Sequence, residues 1–135
     1  MPLIERNGAL EVDKGVIDDT HREFVDLLNR MYNAPDAVLL SILDESIAHS
    51  EAHFGQEQRW MQELDFSPMI CHVGEIEGVM EIAREVRRPA AAGDTTYGKV
   101  LAQGVAEWFA NHAANMDSVL AQFIKEQGYV PTGGV

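Results

Sequence analysis

The chain has 135 residues and a mass of 15.0 kDa, enough for one hydrophobic core and too little for two. Hydrophobic residues make up 46% and charged residues 24%, which excludes disorder as the overall state. With Lys+Arg at 10 and Asp+Glu at 22, the net charge is −12, so any approach to nucleic acid or to an anionic membrane surface begins with repulsion.

Residues 1–16 read as an N-terminal arm without the basic-then-apolar order of a leader. Asp18, Asp19 and Thr20 offer N-cap oxygens before a first helix in which Phe24, Leu27, Leu28 and Met31 recur at spacings of three and four, ending near Asn33-Ala34-Pro35. Pro35-Asp36 opens a long second helix through Val38, Leu39, Ile42, Leu43, Ile47, Trp60, Met61 and Leu64. Ser67 caps a third, with Pro68 at its first position, which runs through Ile70, Val73, Ile76, Val79, Met80 and Val86 and stops at Pro89. After a loop at Pro89-Ala90-Ala91-Ala92-Gly93-Asp94, a fourth helix carries Leu101, Val105, Trp108, Phe109, Met116, Leu120 and Phe123 to about Gly128. Residues 129–135 read as a loose tail.

Short connections between four helices predict an all-α, up-down-up-down antiparallel four-helix bundle, one domain over residues 1–135. Gly55, Gly74, Gly78, Gly98 and Gly104 inside these helices each cost about 1 kcal/mol relative to alanine and predict close helix–helix contact. No apolar run approaches the roughly 20 residues needed to cross a bilayer, so no membrane partner is expected. The single cysteine, Cys71, reads as a small buried or half-buried residue and suits a reducing, cytoplasmic setting.

All five histidines fall inside predicted helices. His53 and Glu57 are four residues apart, so they lie one above the other on one face of the second helix. His112 and Asp117 pair an imidazole with a carboxylate at a spacing of five, which on a regular helix straddles the inward stripe by about 140°. His21 opens the first helix and His72 the third. In an antiparallel bundle His21, His53, Glu57, His72, His112 and Asp117 share one height, and imidazoles with carboxylates suit iron, manganese or zinc. The pattern reads as a two-metal site in a bundle core. His49, one turn before His53, reads as a packed or hydrogen-bonded histidine, and Trp60, Trp108, Phe24 and Phe54 as core wall that keeps water out. A ferritin-like centre would need Glu-x-x-His pairs, and the positions three before His49, His53, His72 and His112 are Ser46, Ser50, Met69 and Phe109.

From about Gly15 to Phe123 these residues resemble the hemerythrin family, in particular its short bacterial members. Ile17-Asp18-Asp19-Thr20-His21-Arg22 is similar to its I-D-x-x-H, His53-Phe54-Gly55-Gln56-Glu57 to its H-F-x-x-E, and Trp108 with His112 and Asp117 to its W-x-x-x-H-x-x-x-x-D. The third helix departs from the family's H-x-x-x-H: it reads His72-Val73-Gly74-Glu75-Ile76-Glu77, with Ile76 in the second histidine's place. The resemblance implies two non-heme irons bridged by Glu57, Asp117 and an oxo or hydroxo oxygen. His21 and His53 would hold one iron, and His72 and His112 the other. Glu75, His49, water or nothing would replace the missing imidazole.

The function implied is binding of O2 or another small diatomic such as NO, for storage, delivery or sensing. Two labile positions on an iron pair would instead favour an enzyme that activates O2 or peroxide. A third reading is a structural or signalling bundle with an empty or half-filled site. The sequence carries no signal for a partner domain or an assembly interface.

Overall fold

The computed structural model describes residues 16–129, so the expected arm before Val16 and the tail beyond Tyr129 lie outside the described residues. Helix α1 spans Val16–Asn33, α2 Asp36–Glu63, α3 Met69–Ala91 and α4 Gly98–His112; a π-helical turn, Ala113–Asp117, joins α4 to α5, Ser118–Glu126, as one continuous fourth rod. Among the described residues there is no strand, and the chain is an all-α four-helix bundle. Helix α1 packs on α2 and α4, and α3 packs on the other side of α2 and α4, closing a ring.

Local chemistry explains the ends of the helices. Helix α1 begins at Val16, so Asp18 and Asp19 lie in its first turn rather than capping it. There a carboxylate meets the positive end of the helix dipole. Pro68 is the N-cap of α3 rather than its first helical residue, and Ser67 makes no side-chain cap there. Pro89 does not stop α3, which continues to Ala91. The proline sits in the last turn, and its carbonyl accepts from the N–H groups of Ala92 and Asp94. Asp94 N–H to Pro89 at 2.8 Å and Gly93 N–H to Ala90 at 3.0 Å form a Schellman cap, with Gly93 at φ 98°.

The same cap ends α2 without a glycine. Asp65 takes φ 52°, while Phe66 N–H bonds Met61 O at 2.9 Å and Asp65 N–H bonds Gln62 O at 3.3 Å. This reversal turns Phe66 back into an apolar layer with Ile17, Trp60, Met61, Leu120, Ala121 and Ile124 at one end of the bundle. Met31, Leu39, Leu43, Ala90, Leu101 and Ala102 fill the other end. Between them lie Phe24, Val25, Leu28 and Phe109 on one side and Phe54, Ile76 and Met80 on the other. The buried His21, His53, Glu57, His72, His112 and Asp117 occupy the level between the Phe66 layer and these aromatic groups, while Ser46 and Ser50 lie farther along, beside Leu43 and Met31. No described helix is long and apolar enough to cross a membrane.

The glycine expectation holds at one position. A Cβ on Gly98 would sit 2.5 Å from Leu39 Cδ2, whereas Gly74, Gly78 and Gly104 have nothing within 4 Å of that place and Gly55 only the tip of Arg59 at 3.9 Å. Gly98→Ala is therefore expected to lower stability by about 1–3 kcal/mol through overpacking. Gly78→Ala should raise it by about 1 kcal/mol. Urea midpoints measured side by side check both signs.

Candidate metal centre

Each rod places its site residues through its own periodicity. On α1, His21 follows Ile17 by four residues and Asp18 by three, and all three are buried. On α2, Ser46, Ser50, His53, Gln56, Glu57 and Trp60 form one buried stripe at helical spacing. On α3, His72, Ile76 and Met80 recur every fourth residue and are buried. The fourth rod needs a different device. Ser118 N–H reaches back five residues to Ala113 O, and within this π turn a residue five positions on returns toward the same face. The structure thereby corrects the expected straddling: His112 Nε2 lies 3.1 Å from Asp117 Oδ1.

All six sequence-predicted residues come together, each at most 3% exposed. Asp117 turns Oδ1 to His72 Nε2, at 3.3 Å, and to His112, and turns Oδ2 to His21 Nε2 at 2.9 Å. Glu57 turns Oε1 to His72 Nε2 at 3.2 Å and Oε2 to His53 Nε2. Two sets of converging donor atoms result: Glu57, His72, His112 and Asp117 form one, and His21, His53 and Glu57 the other, with atoms of each set within 4.8 Å of one another. A cation fits these atoms better than a hydrogen-bond network does. The facing atoms His72 Nε2, His112 Nε2, Glu57 Oε1 and both Asp117 oxygens are buried, yet none is aligned as a hydrogen bond.

Aromatic rings hold the imidazoles from behind. Phe54 stacks on His53 with centroids 4.7 Å apart, Phe109 meets His21 edge-on at 4.9 Å, and Trp108 stacks on His112 at 4.5 Å. Phe24, Phe54 and Trp60 are buried and Trp108 half-buried, as expected of core wall. His49 joins neither set. It is half-buried beside Glu23, with Nδ1 3.6 Å from Oε2, and burial, with His53 next to it, lowers its pKa. Glu75 also stays outside both sets; its Oε1 lies 3.3 Å from His112 Nδ1. Cys71 is exposed, contrary to expectation. Asp18 and Gln56 are buried polar residues that the sequence analysis did not place at this level; Asp18 stands one turn before His21, a spacing that was open to reading.

Charge in the metal-free centre is self-compensating. Burial opposes a charged His72, but the Asp117 and Glu57 carboxylates outweigh burial and raise its pKa from 6.5 to about 9. Burial likewise opposes ionised Asp117, yet His112, His21 and His72 hold its pKa well below 3.8. A raised His72 contributes stability that is fully present below about pH 6.5 and is lost as pH rises through about 9. A depressed Asp117 contributes stability that is present above about pH 4 and is lost as pH falls further. The chelator-treated protein is therefore expected to lose a few kcal/mol of stability between about pH 6.5 and 9.5. A bound cation should flatten that loss by replacing the proton opposite the carboxylates. Thermal melts across this range check it, and a flat profile without metal would contradict it.

The model of the hemerythrin HHE cation binding domain matches residues 14–124. A bacteriohemerythrin of Ralstonia nicotianae is 40% identical over 128 residues, covering 95% of this chain and 93% of that protein. A bacteriohemerythrin of Aquifex aeolicus is 26% identical over 126 residues, covering 89% and 96%. Among solved structures, a hemerythrin with a leucine-to-tyrosine substitution superposes with a TM-score of 0.83 at 20% identity, over 92% of this chain and 98% of that one. Its leucine-to-alanine counterpart gives 0.82 at 20% identity, over 91% and 98%. With its two sets of imidazoles and shared carboxylate on this fold, the chain belongs to the hemerythrin family of cation-binding domains.

Proposed function

We propose that the bundle holds two iron ions, one between His21 and His53 and the other between His72 and His112, with Glu57 and Asp117 shared by both. We further propose that it binds O2, or another diatomic such as NO, for storage, delivery or sensing in the cytoplasm. The observation that carries this reading is the direction of the carboxylate oxygens: each carboxylate turns one oxygen toward His72 and the other toward His53 or His21. A carboxylate oriented in this way is suited to span two ions. When bound, the iron pair supplies electrons and an exchangeable coordination position to a diatomic ligand.

The chain's own residues set the conditions for that chemistry. Glu57 and Asp117 offset part of the ions' charge, and Phe24, Phe54 and Phe109 shield the His21–His53 side from water. A small apolar ligand meets a dry surface there, where bulk proton donors have poor access.

One observation favours a second reading, an enzyme that activates O2 or peroxide. Ile76 is 5% exposed and packs against Phe54 and Met80, so position 76 offers hydrocarbon where a further donor atom would complete the His72–His112 ion. That ion would keep a labile position.

Anaerobic reconstitution with ferrous iron is expected to give about two ions per chain, and Asp117→Ala about one or fewer. Metal analysis checks both, and fewer than one iron in the unaltered protein would remove the proposal. On mixing the reduced, loaded protein with O2 in a stopped-flow instrument, a lasting visible band supports binding and a transient one supports turnover. Ile76→His is expected to lengthen the life of that band; an unchanged lifetime would show that position 76 does not limit it.

A further inference from the structure

We infer that Glu75 is a positioning residue for His112: its carboxylate accepts the Nδ1 proton, so that Nε2 presents its lone pair to the cation held with the shared carboxylates. The inference rests on the centre proposed above. His112 is wholly buried, so both ring nitrogens need partners inside the protein. Nε2 faces Asp117 Oδ1 at 3.1 Å and Nδ1 faces Glu75 Oε1 at 3.3 Å. An ionised carboxylate only accepts, so once a cation takes the Nε2 lone pair the ring's one proton sits on Nδ1, where Glu75 accepts it. Trp108 lies nearly parallel against the ring, at 23° and 4.5 Å, and fixes the plane in which Glu75 finds Nδ1.

The register of α3 produces this arrangement. His72 faces into the centre, and Glu75, three residues on, is directed across to α4 with a side chain 34% exposed. Ile76 then turns to Phe54 and Met80. Glu75 therefore stands behind a ligand rather than in place of the missing one, and entering the centre would require it to abandon His112. An anionic acceptor at Nδ1 also makes Nε2 a stronger donor, which matters most for an ion with few imidazoles.

Zinc is the probe of choice because it is diamagnetic and has no redox chemistry. Competition titrations of the full chain should show Glu75→Ala weakening one of two zinc sites by about 10–100-fold and leaving the other unchanged. Glu75→Gln, which keeps an accepting oxygen and loses the charge, should fall between. Nitrogen-15 and proton spectra of the zinc-loaded proteins should show the His112 Nδ1–H resonance at a hydrogen-bonded, downfield position in the wild type and in Glu75→Gln, and moved upfield in Glu75→Ala. Equal zinc affinities and equal His112 spectra in all three proteins would overturn the inference. A wild type taking up fewer than two zinc ions would count against the two-ion centre, while the His112 Nδ1–H resonance of the singly loaded protein would still decide the role of Glu75.

Discussion

Two carboxylates sealed among four imidazoles constrain everything else in this bundle. An ionised carboxylate taken out of water costs several kcal/mol unless charge or hydrogen-bond donors surround it. Here the surroundings come from all four rods, so no helix can slide or rotate without uncovering Glu57 or Asp117. The apolar layers at the two ends and the Schellman caps on α2 and α3 serve that requirement. They hold the level at which His21, His53, His72 and His112 meet.

Much of this was legible in the sequence, for identifiable reasons. Pro35 and Pro68 mark the first two connections because proline restricts the residue before it, and the apolar periodicity between them admits only helices. The six site residues could be aligned because antiparallel rods of known rise fix their heights. Residues whose placement depends on a neighbouring helix were harder. Nothing in the sequence separates Gly98, which Leu39 crowds, from Gly78, which faces open space. Cys71, next to a fully buried histidine, could have faced either way and proved exposed. Glu75 was recognised as close to the centre, but its partner, the far nitrogen of an imidazole on another rod, is set by tertiary packing.

Helix α3 is the rod in which the sequence departs from the H-x-x-x-H that the resemblance leads one to expect, and it does so within a single turn. Its inward stripe offers one imidazole at His72 and then hydrocarbon at Ile76 and Met80, while the residue between them reaches sideways to α4. The result is an asymmetric environment in which the two halves of the centre meet different walls. Phe24, Phe54 and Phe109 press on the His21–His53 half. An indole and a carboxylate support His112 in the other. In the proposed two-ion centre, such asymmetry would favour different chemistry at each ion while Glu57 and Asp117 stay common to both.

The π-helical turn also couples two regions that otherwise look independent. It adds one residue to the fourth rod, and every side chain beyond it is rotated by about 100° from where an unbroken α-helix would put it. Leu120 and Ile124 reach the terminal apolar layer only because of that offset, the same offset that returns Asp117 to His112. Deleting any one residue of Ala113–Asp117 would thus disconnect the carboxylate and open the hydrophobic end in one stroke, so the outward Ala114, Asn115 and Met116 tolerate exchange of side chains far better than the segment tolerates a change in length.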